Sequence, residues 1–311
     1  MLDILGKRYI FFAISLLVIV PGLLILAING LPLAIDFKGG SILELRFPSG
    51  NLPNTESVVN LYTELGFKEV QVQTAISANG QRDLLVIRSP FIDDETKIKI
   101  VETMRERFNA PDIVVNRFDS VGPVIAQQVT ERAALAVAVA ALAVVLYITY
   151  AFRGIPHAFR YGVCAIIAMI HDILVVFSLV GIGSIFFGWQ MDSLFLTALL
   201  TVVGFSTQDK IVVFDRIREN STIYRKLPFE KLANHSIVQT LQRSINTQLM
   251  TVEFMLLALA LFGGVTLREF AVILLVGLFS GTYSSIFVAA PILVVWENQE
   301  WKTWFRRQAT A

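Results

Sequence analysis

The chain has 311 residues, of which 55% are hydrophobic and 16% charged, and its mean hydropathy is +0.64. Soluble domains carry roughly 25% charged residues, so this balance points to a membrane protein. A formal net charge of +1 argues against a nucleic-acid binder, which is usually distinctly basic.

Residues 1–8 end in Lys7 and Arg8, ahead of an apolar run over 9–29. That run is longer than the roughly 7–15 residues of a secretion-signal core, and no A-x-A site follows, so it is expected to be an uncleaved anchor. Residues 30–132 make a domain-sized segment. Leu43, Leu45 and Phe47 alternate with Glu44 and Arg46, which predicts a strand. Asn54 or Thr55 then caps a helix carrying Val58, Leu61, Tyr62 and Leu65, stopped by Gly66. A second alternation over Val70, Val72, Thr74 and Ile76 leads to the Asn79-Gly80 hairpin turn and a returning strand through Leu84–Ile87. Asp93 caps a second helix, expected to bury Ile98, Val101, Met104 and Phe108, and a last strand runs through Asp112–Asp119. The order β-α-β-β-α-β is the split ferredoxin-like pattern. Gly39-Gly40 ahead of it reads as a turn and not a phosphate loop, because no lysine-serine/threonine follows.

Runs of about 20 apolar residues predict five further spans near 133–152, 161–182, 193–213, 246–264 and 269–296, with a tail over 297–311. The single cysteine, Cys164, lies in one of these runs and reads as a packing residue. Basic residues set the orientation. They stand before span one, at Arg153 and Arg160, through the loop with Arg216, Arg218, Arg225, Lys226 and Lys231, and in the tail at Lys302, Arg306 and Arg307. Both termini are therefore expected in the cytoplasm and residues 30–132 outside. The same positive-inside bias accounts for the basic loop without nucleic acid. The expected fold is an α-helical membrane protein of six transmembrane helices, with one extracytoplasmic α+β ferredoxin-like domain between the first and second.

Ionisable groups at bilayer depth cost about 2.5–3.5 kcal/mol each and by default suggest a function. They are His171 and Asp172 in span three, Asp209 and Lys210 in span four, and Glu253 in span five, with Arg243 at the entrance to span five. At 1.5 Å per residue, Asp209 lies on the order of 6–10 Å above the cytoplasmic boundary and Asp172 about 15 Å deep. Arg243 enters from the same side, so it can pair with Asp209. The pair reads either as a structural bridge or as a proton-sensitive one, in which departure of the guanidinium lets the aspartate take up a proton. Lys210 is expected to snorkel to the headgroups. His171 is expected to point about 100° away from Asp172 around the helix. Gly277 and Gly281 form a GxxxG that permits close helix packing, and Asp215, Arg218 and Glu219 have helical spacings suited to surface ion pairs. No catalytic constellation or metal spacing is present, so an enzyme is the least supported reading.

The whole chain closely resembles the SecD/SecF family of protein-export membrane subunits, in its SecF branch, within the resistance–nodulation–division superfamily. The resemblance is carried by IDFKGGS (Asp36, Gly39, Gly40), SVGP (Gly122, Pro123), HD in span three, and GFSTQDKIVVFDRIREN with Asp215, Arg216, Arg218, Glu219 and Asn220. LQRSINT and GTYSSIFVAAPIL extend it. It implies a subunit of the inner membrane that works with a SecD-like partner beside the Sec channel. It further implies use of the transmembrane proton gradient, with no cofactor, to assist unfolded preprotein chains across the lipid bilayer. The family's functional aspartate and arginine map onto Asp209 and Arg243. Lys210 departs from the family pattern, and Ala34 and Lys38 depart from its glycine-rich signature. The competing readings are half of a proton-coupled small-molecule or lipid exporter of the same superfamily, and a passive assembly subunit whose intramembrane charges are structural.

Overall fold

Two helices precede the sheet, α1 (Arg8–Asn29) and the single turn α2 (Ile35–Lys38). In this computed structural model the described residues are 3–75, 83–153, 158–248, 254–262 and 265–304. They fall into two units, Leu33–Ala134 and a helical one made of Met1–Pro32 with Leu135–Ala311.

In the smaller unit the elements follow as β1 (Gly40–Arg46), α3 (Thr55–Glu64), β2 (Gln71–Ala75), β3 (Leu84–Ser89), α4 (Asp94–Arg107) and β4 (Val114–Val121). The strands lie in the order β2-β3-β1-β4, and every pairing is antiparallel. This is the split ferredoxin-like arrangement. Period-two alternation puts Leu43 and Leu45 of β1 and Leu85 and Ile87 of β3 on one buried face, where α3 meets them with Val58, Leu61 and Tyr62. Both helix starts are capped by side chains: Asn54 accepts from the Glu56 N–H at 3.2 Å and Asp93 from the Thr96 N–H at 2.9 Å. Ile98, expected in the core, is 53% exposed, and Ile100 takes its place. The buried stripe of α4 is Ile100, Val101 and Met104, and Ile98 lies roughly 110° around the helix from its centre. The Asn79-Gly80 turn falls outside the described residues. A register shift opposite Glu44 and Leu45 interrupts β4, and Val114 and Val115 of this edge strand are exposed.

Gly39 and Gly40 have φ of 76° and 131°, conformations that side chains with a Cβ avoid. A Cβ on Gly40 would also stand 2.8 Å from the Ser89 carbonyl oxygen. The double glycine is thus required by a turn that enters β1 against the end of β3.

The larger unit comprises α1 with the part of α5 (Pro123–Ala151) from Leu135 onward, α6 (Ala158–Phe186), α7 (Ser193–Ile223), α8 (Phe229–Gln248), α9 (Phe254–Phe262) and α10 (Val265–Ser284). A π-helical turn (Ser285–Ala289), α11 (Ala290–Glu297) and the short α12 (Trp301–Trp304) complete it. Among the described residues five segments are long and apolar enough to cross a membrane: Leu5–Asn29, Pro123–Ala151, Phe159–Phe186, Ser193–Ile223 and Leu267–Glu297. The span expected over 246–264 takes in the end of α8 and all of α9, and includes residues 249–253 and 263–264, which lie outside the description, as does Glu253.

No separate helix was expected between spans four and five, yet α8 runs for 20 residues there. Its buried stripe is Leu232, Ala233, Ser236, Ile237, Thr240, Ser244 and Gln248, a 3.6-residue period in which three hydroxyls and an amide replace apolar side chains and which is therefore faint on an apolar count. Asn220 at the end of α7 is 1% exposed and fastens the two helices, its amide nitrogen donating to Ser236 at 2.8 Å and Gln239 at 2.9 Å. Asp215 pairs with Arg218 at 2.7 Å and Glu219 with Arg216 at 2.5 Å along α7.

Arg8 bridges Glu230 at 2.8 Å and Glu300 at 2.6 Å, and Arg160 bridges Glu297 at 2.7 Å. The starts of α1, α6 and α8 therefore meet residues 297–300 at one end of the bundle.

Candidate functional site: two buried carboxylates on neighbouring helices

The helices α6, α7 and α10 pack together at the centre of the larger unit. Small residues permit the close approach: a Cβ on Gly277 would lie 2.3 Å from Val202, and one on Gly281 would lie 3.2 Å from the Cα of Ser206. Gly281 thus lets the α7 backbone around Ser206 come up against α10.

In that contact Asp172 of α6 is 1% exposed and Lys210 of α7 is 0% exposed. The Lys210 Nζ lies 2.7 Å from Asp172 Oδ2. The same oxygen accepts hydrogen bonds from Ser206 at 2.5 Å and Ser284 at 2.7 Å. Oδ1 accepts from Ser280 at 2.7 Å and lies 3.1 Å from Nδ1 of His171. Lys210 Nζ also donates to the Ser206 hydroxyl and, at 3.2 Å, to its carbonyl. An ionised carboxylate offers about four acceptor sites and no donor, and five groups converge on this one. The arrangement is a saturated, buried ion pair.

Two sequence expectations are corrected here. Lys210 does not snorkel to the headgroups: the i, i+4 spacing of Ser206 and Lys210 aims both side chains across at α6, and a partner carboxylate is already there. His171 is not turned away from Asp172, because the imidazole is long enough to fold back along the helix onto its neighbour's carboxylate. Its ring also stacks on Tyr283, 6.2 Å between centroids.

Asp209, one residue before Lys210, faces the other way and is 8% exposed. Its Oδ1 accepts from Ser244 of α8 at 2.8 Å and its Oδ2 from Ser285 at 2.6 Å. It lines a small cleft with Phe205, Gln208, Val212, Arg243, Ser244, Thr247 and Gln248. Arg243 belongs to α8, is exposed, and shares this cleft with Asp209 while both carboxylate oxygens are occupied by hydroxyls. The cleft therefore holds an acid and a guanidinium that are near each other without being joined.

The hydroxyls were not singled out from the sequence. Their signal was present, since Ser280 and Ser284 stand at i, i+4 on α10, as do Ser206 and Lys210 on α7, within otherwise apolar runs. Of the remaining signature residues, Asp36 sits in α2, Gly122 precedes α5 and Pro123 opens it, with the Cα of Pro123 at 3.4 Å from where a Cβ of Gly39 would lie.

These features define an integral membrane protein with a ferredoxin-like domain inserted after its first long helix and two carboxylates buried in its helical bundle. The family described as protein export membrane protein SecD/SecF, C-terminal, matches residues 100–299, and the SecD/SecF GG motif matches 24–47. The chain is 69% identical over 309 residues to the protein translocase subunit SecF of Anaerolinea thermophila, covering 99% of this chain and 98% of that one. It is 44% identical to the SecF subunit of Thermobaculum terrenum, again over 99% of this chain and 98% of that one. The crystal structure of SecDF, a translocon-associated membrane protein from Thermus thermophilus, superposes with a TM-score of 0.80 at 32% identity, covering 96% of this chain and 39% of that longer one. The chain belongs to the SecD/SecF family of protein export membrane proteins.

Proposed function

We infer that this chain is a non-enzymatic accessory subunit of the protein translocase, working with a SecD-like partner to assist unfolded preproteins across the inner membrane beside the Sec channel. In this reading the proton gradient is the energy source, the ends gathered by Arg8 and Arg160 are cytoplasmic, and the ferredoxin-like domain over 30–132 is extracytoplasmic. The lysines and arginines near that gathered end support the orientation.

The observation that carries the proton-driven part is the state of Asp209. It is buried and hydrogen-bonded only by the hydroxyls of Ser244 and Ser285 among the described residues, yet it faces a cleft that also holds Arg243. Approach of the guanidinium favours the ionised acid and its withdrawal favours the protonated one. Moving one charge through 100 mV is worth about 2.3 kcal/mol, enough to bias a rearrangement of similar cost. Asp172 and His171 belong to the same coupling region as its fixed part, since Lys210 already neutralises Asp172.

The test is preprotein export into vesicles with and without an imposed proton gradient, comparing native chain with Asp209→Asn and Arg243→Met. Both variants are expected to keep gradient-independent export and to lose the increment that the gradient adds. Full gradient dependence in Asp209→Asn ends this reading.

A further inference from the structure

Two pairs of consecutive residues tie the carboxylates together. On α7, Asp209 opens to the cleft and Lys210 holds Asp172. Opposite them, Ser284 donates to Asp172 and Ser285 to Asp209. Ser285 is also the first residue of the π-helical turn, Ser285–Ala289. Such turns interrupt the regular ladder and often mark functional positions.

The Ser285 hydroxyl has one hydrogen and two acceptors in reach, Asp209 Oδ2 at 2.6 Å and the Thr282 carbonyl oxygen at 2.8 Å. A hydroxyl donates once, and the ionised carboxylate is the stronger acceptor. When Asp209 takes up a proton, its own O–H becomes a donor toward the Ser285 oxygen. The serine hydrogen is then released to the Thr282 carbonyl. A serine bonded back onto its own helix competes with the backbone ladder and bends it. Here that competition falls where the ladder changes from α to π register. Ser284 has the same choice, between Asp172 Oδ2 at 2.7 Å and the Gly281 carbonyl at 3.1 Å. Lys210 keeps Asp172 charged, so Ser284 stays where it is. One serine is therefore free to respond and its neighbour is an anchor.

We propose that Ser285 is a positioning residue that reads the charge of Asp209 and converts it into a shift of the π-helical turn, pivoting against the fixed Ser284–Asp172–Lys210 contact. This rests on the reading above that Asp209 exchanges a proton. Among the described residues, the charged and titratable groups at and beside Asp209 are Lys210 on its own helix, His171 and Asp172 on α6, Arg243 on α8 and Tyr283 on α10; the facing serines of α10 and the π turn contribute hydroxyls.

The experiment uses the full chain with its SecD-like partner in liposomes. Infrared difference spectra follow the carbonyl band of protonated Asp209, assigned by its loss in Asp209→Asn, while hydrogen exchange follows the amides of 285–290 across the same pH range. In the native chain the two are expected to change with one midpoint. In Ser285→Ala the band is expected to persist while the exchange ceases to follow it, with about a tenfold loss of gradient-dependent export, the scale of one hydrogen bond to a charged group. Ser285→Cys, which keeps the volume and donates weakly, is expected to behave the same way, and Ser285→Thr to restore the coupling. Exchange that still tracks the band in both Ser285→Ala and Ser285→Cys overturns this inference alone. Absence of the band in the native chain overturns it together with the proton-exchange reading.

Discussion

Asp172 and Asp209 are carboxylates of the same bundle, both withdrawn from solvent, and they are provided for in opposite ways. Around Asp172 an ammonium, three hydroxyls and an imidazole nitrogen use every acceptor site. Around Asp209 two hydroxyls serve one oxygen each, and the cation in its cleft, Arg243, is not bonded to it. A buried ion pair that is fully satisfied resists change, because removing either member strands the other. A buried acid held by neutral donors is tolerant of both charge states, since hydroxyls can donate or accept. In the proposed mechanism, burial alone therefore does not mark the exchanging group. What distinguishes the two is the completeness of the shell.

The largest effect expected from breaking this contrast is on the saturated side. Lys210→Met leaves the Asp172 carboxylate buried without its cation and is expected to destabilise the protein by about 3–5 kcal/mol. Thermal unfolding of the detergent-solubilised chain checks this, and the double variant Asp172→Asn, Lys210→Met is expected to recover most of the loss. Next is the packing that assembles the pocket. Gly277→Ala places a methyl 2.3 Å from Val202 and is expected to cost about 1–3 kcal/mol by overpacking, read in the same unfolding assay. Asp209→Asn is smaller still in stability, within about 1 kcal/mol, because the amide oxygen can accept from one hydroxyl while the amide nitrogen donates to the other. Its effect on gradient-driven export is expected to be complete all the same. Ser244→Ala removes one of the two hydroxyls and is expected to lower stability by about 1 kcal/mol, read in the same unfolding assay. The divergence between stability and function in Asp209→Asn is what separates the two carboxylates.

Much of this was legible in the residues. The ferredoxin-like domain was written in period-two alternation, two capping residues and the glycine pair, because its strands have one wet and one buried face. The exception, Ile98, failed because three apolar residues two and three apart leave the buried arc open to more than one choice. The five long apolar segments were visible as apolar runs, whereas α8 was not, since much of its buried face is serine, threonine and glutamine that count as polar. Asp172, Asp209 and Arg243 stood out as charges in an apolar background. Their partners did not: the pairing of Lys210 with Asp172 depends on which face of α7 meets α6, and hydropathy carries no information on helix rotation. The i, i+4 serines of α10 were the sequence mark of that face, and they became readable once the carboxylates had been placed.

The proposed mechanism requires that Asp209 change its charge while Asp172 does not. Infrared titration of the full chain in liposomes, repeated with Asp209→Asn and Asp172→Asn, tests it most directly. A carboxylic-acid carbonyl band is expected that rises on acidification, disappears in Asp209→Asn and survives in Asp172→Asn. A band that survives in Asp209→Asn and disappears in Asp172→Asn would contradict it.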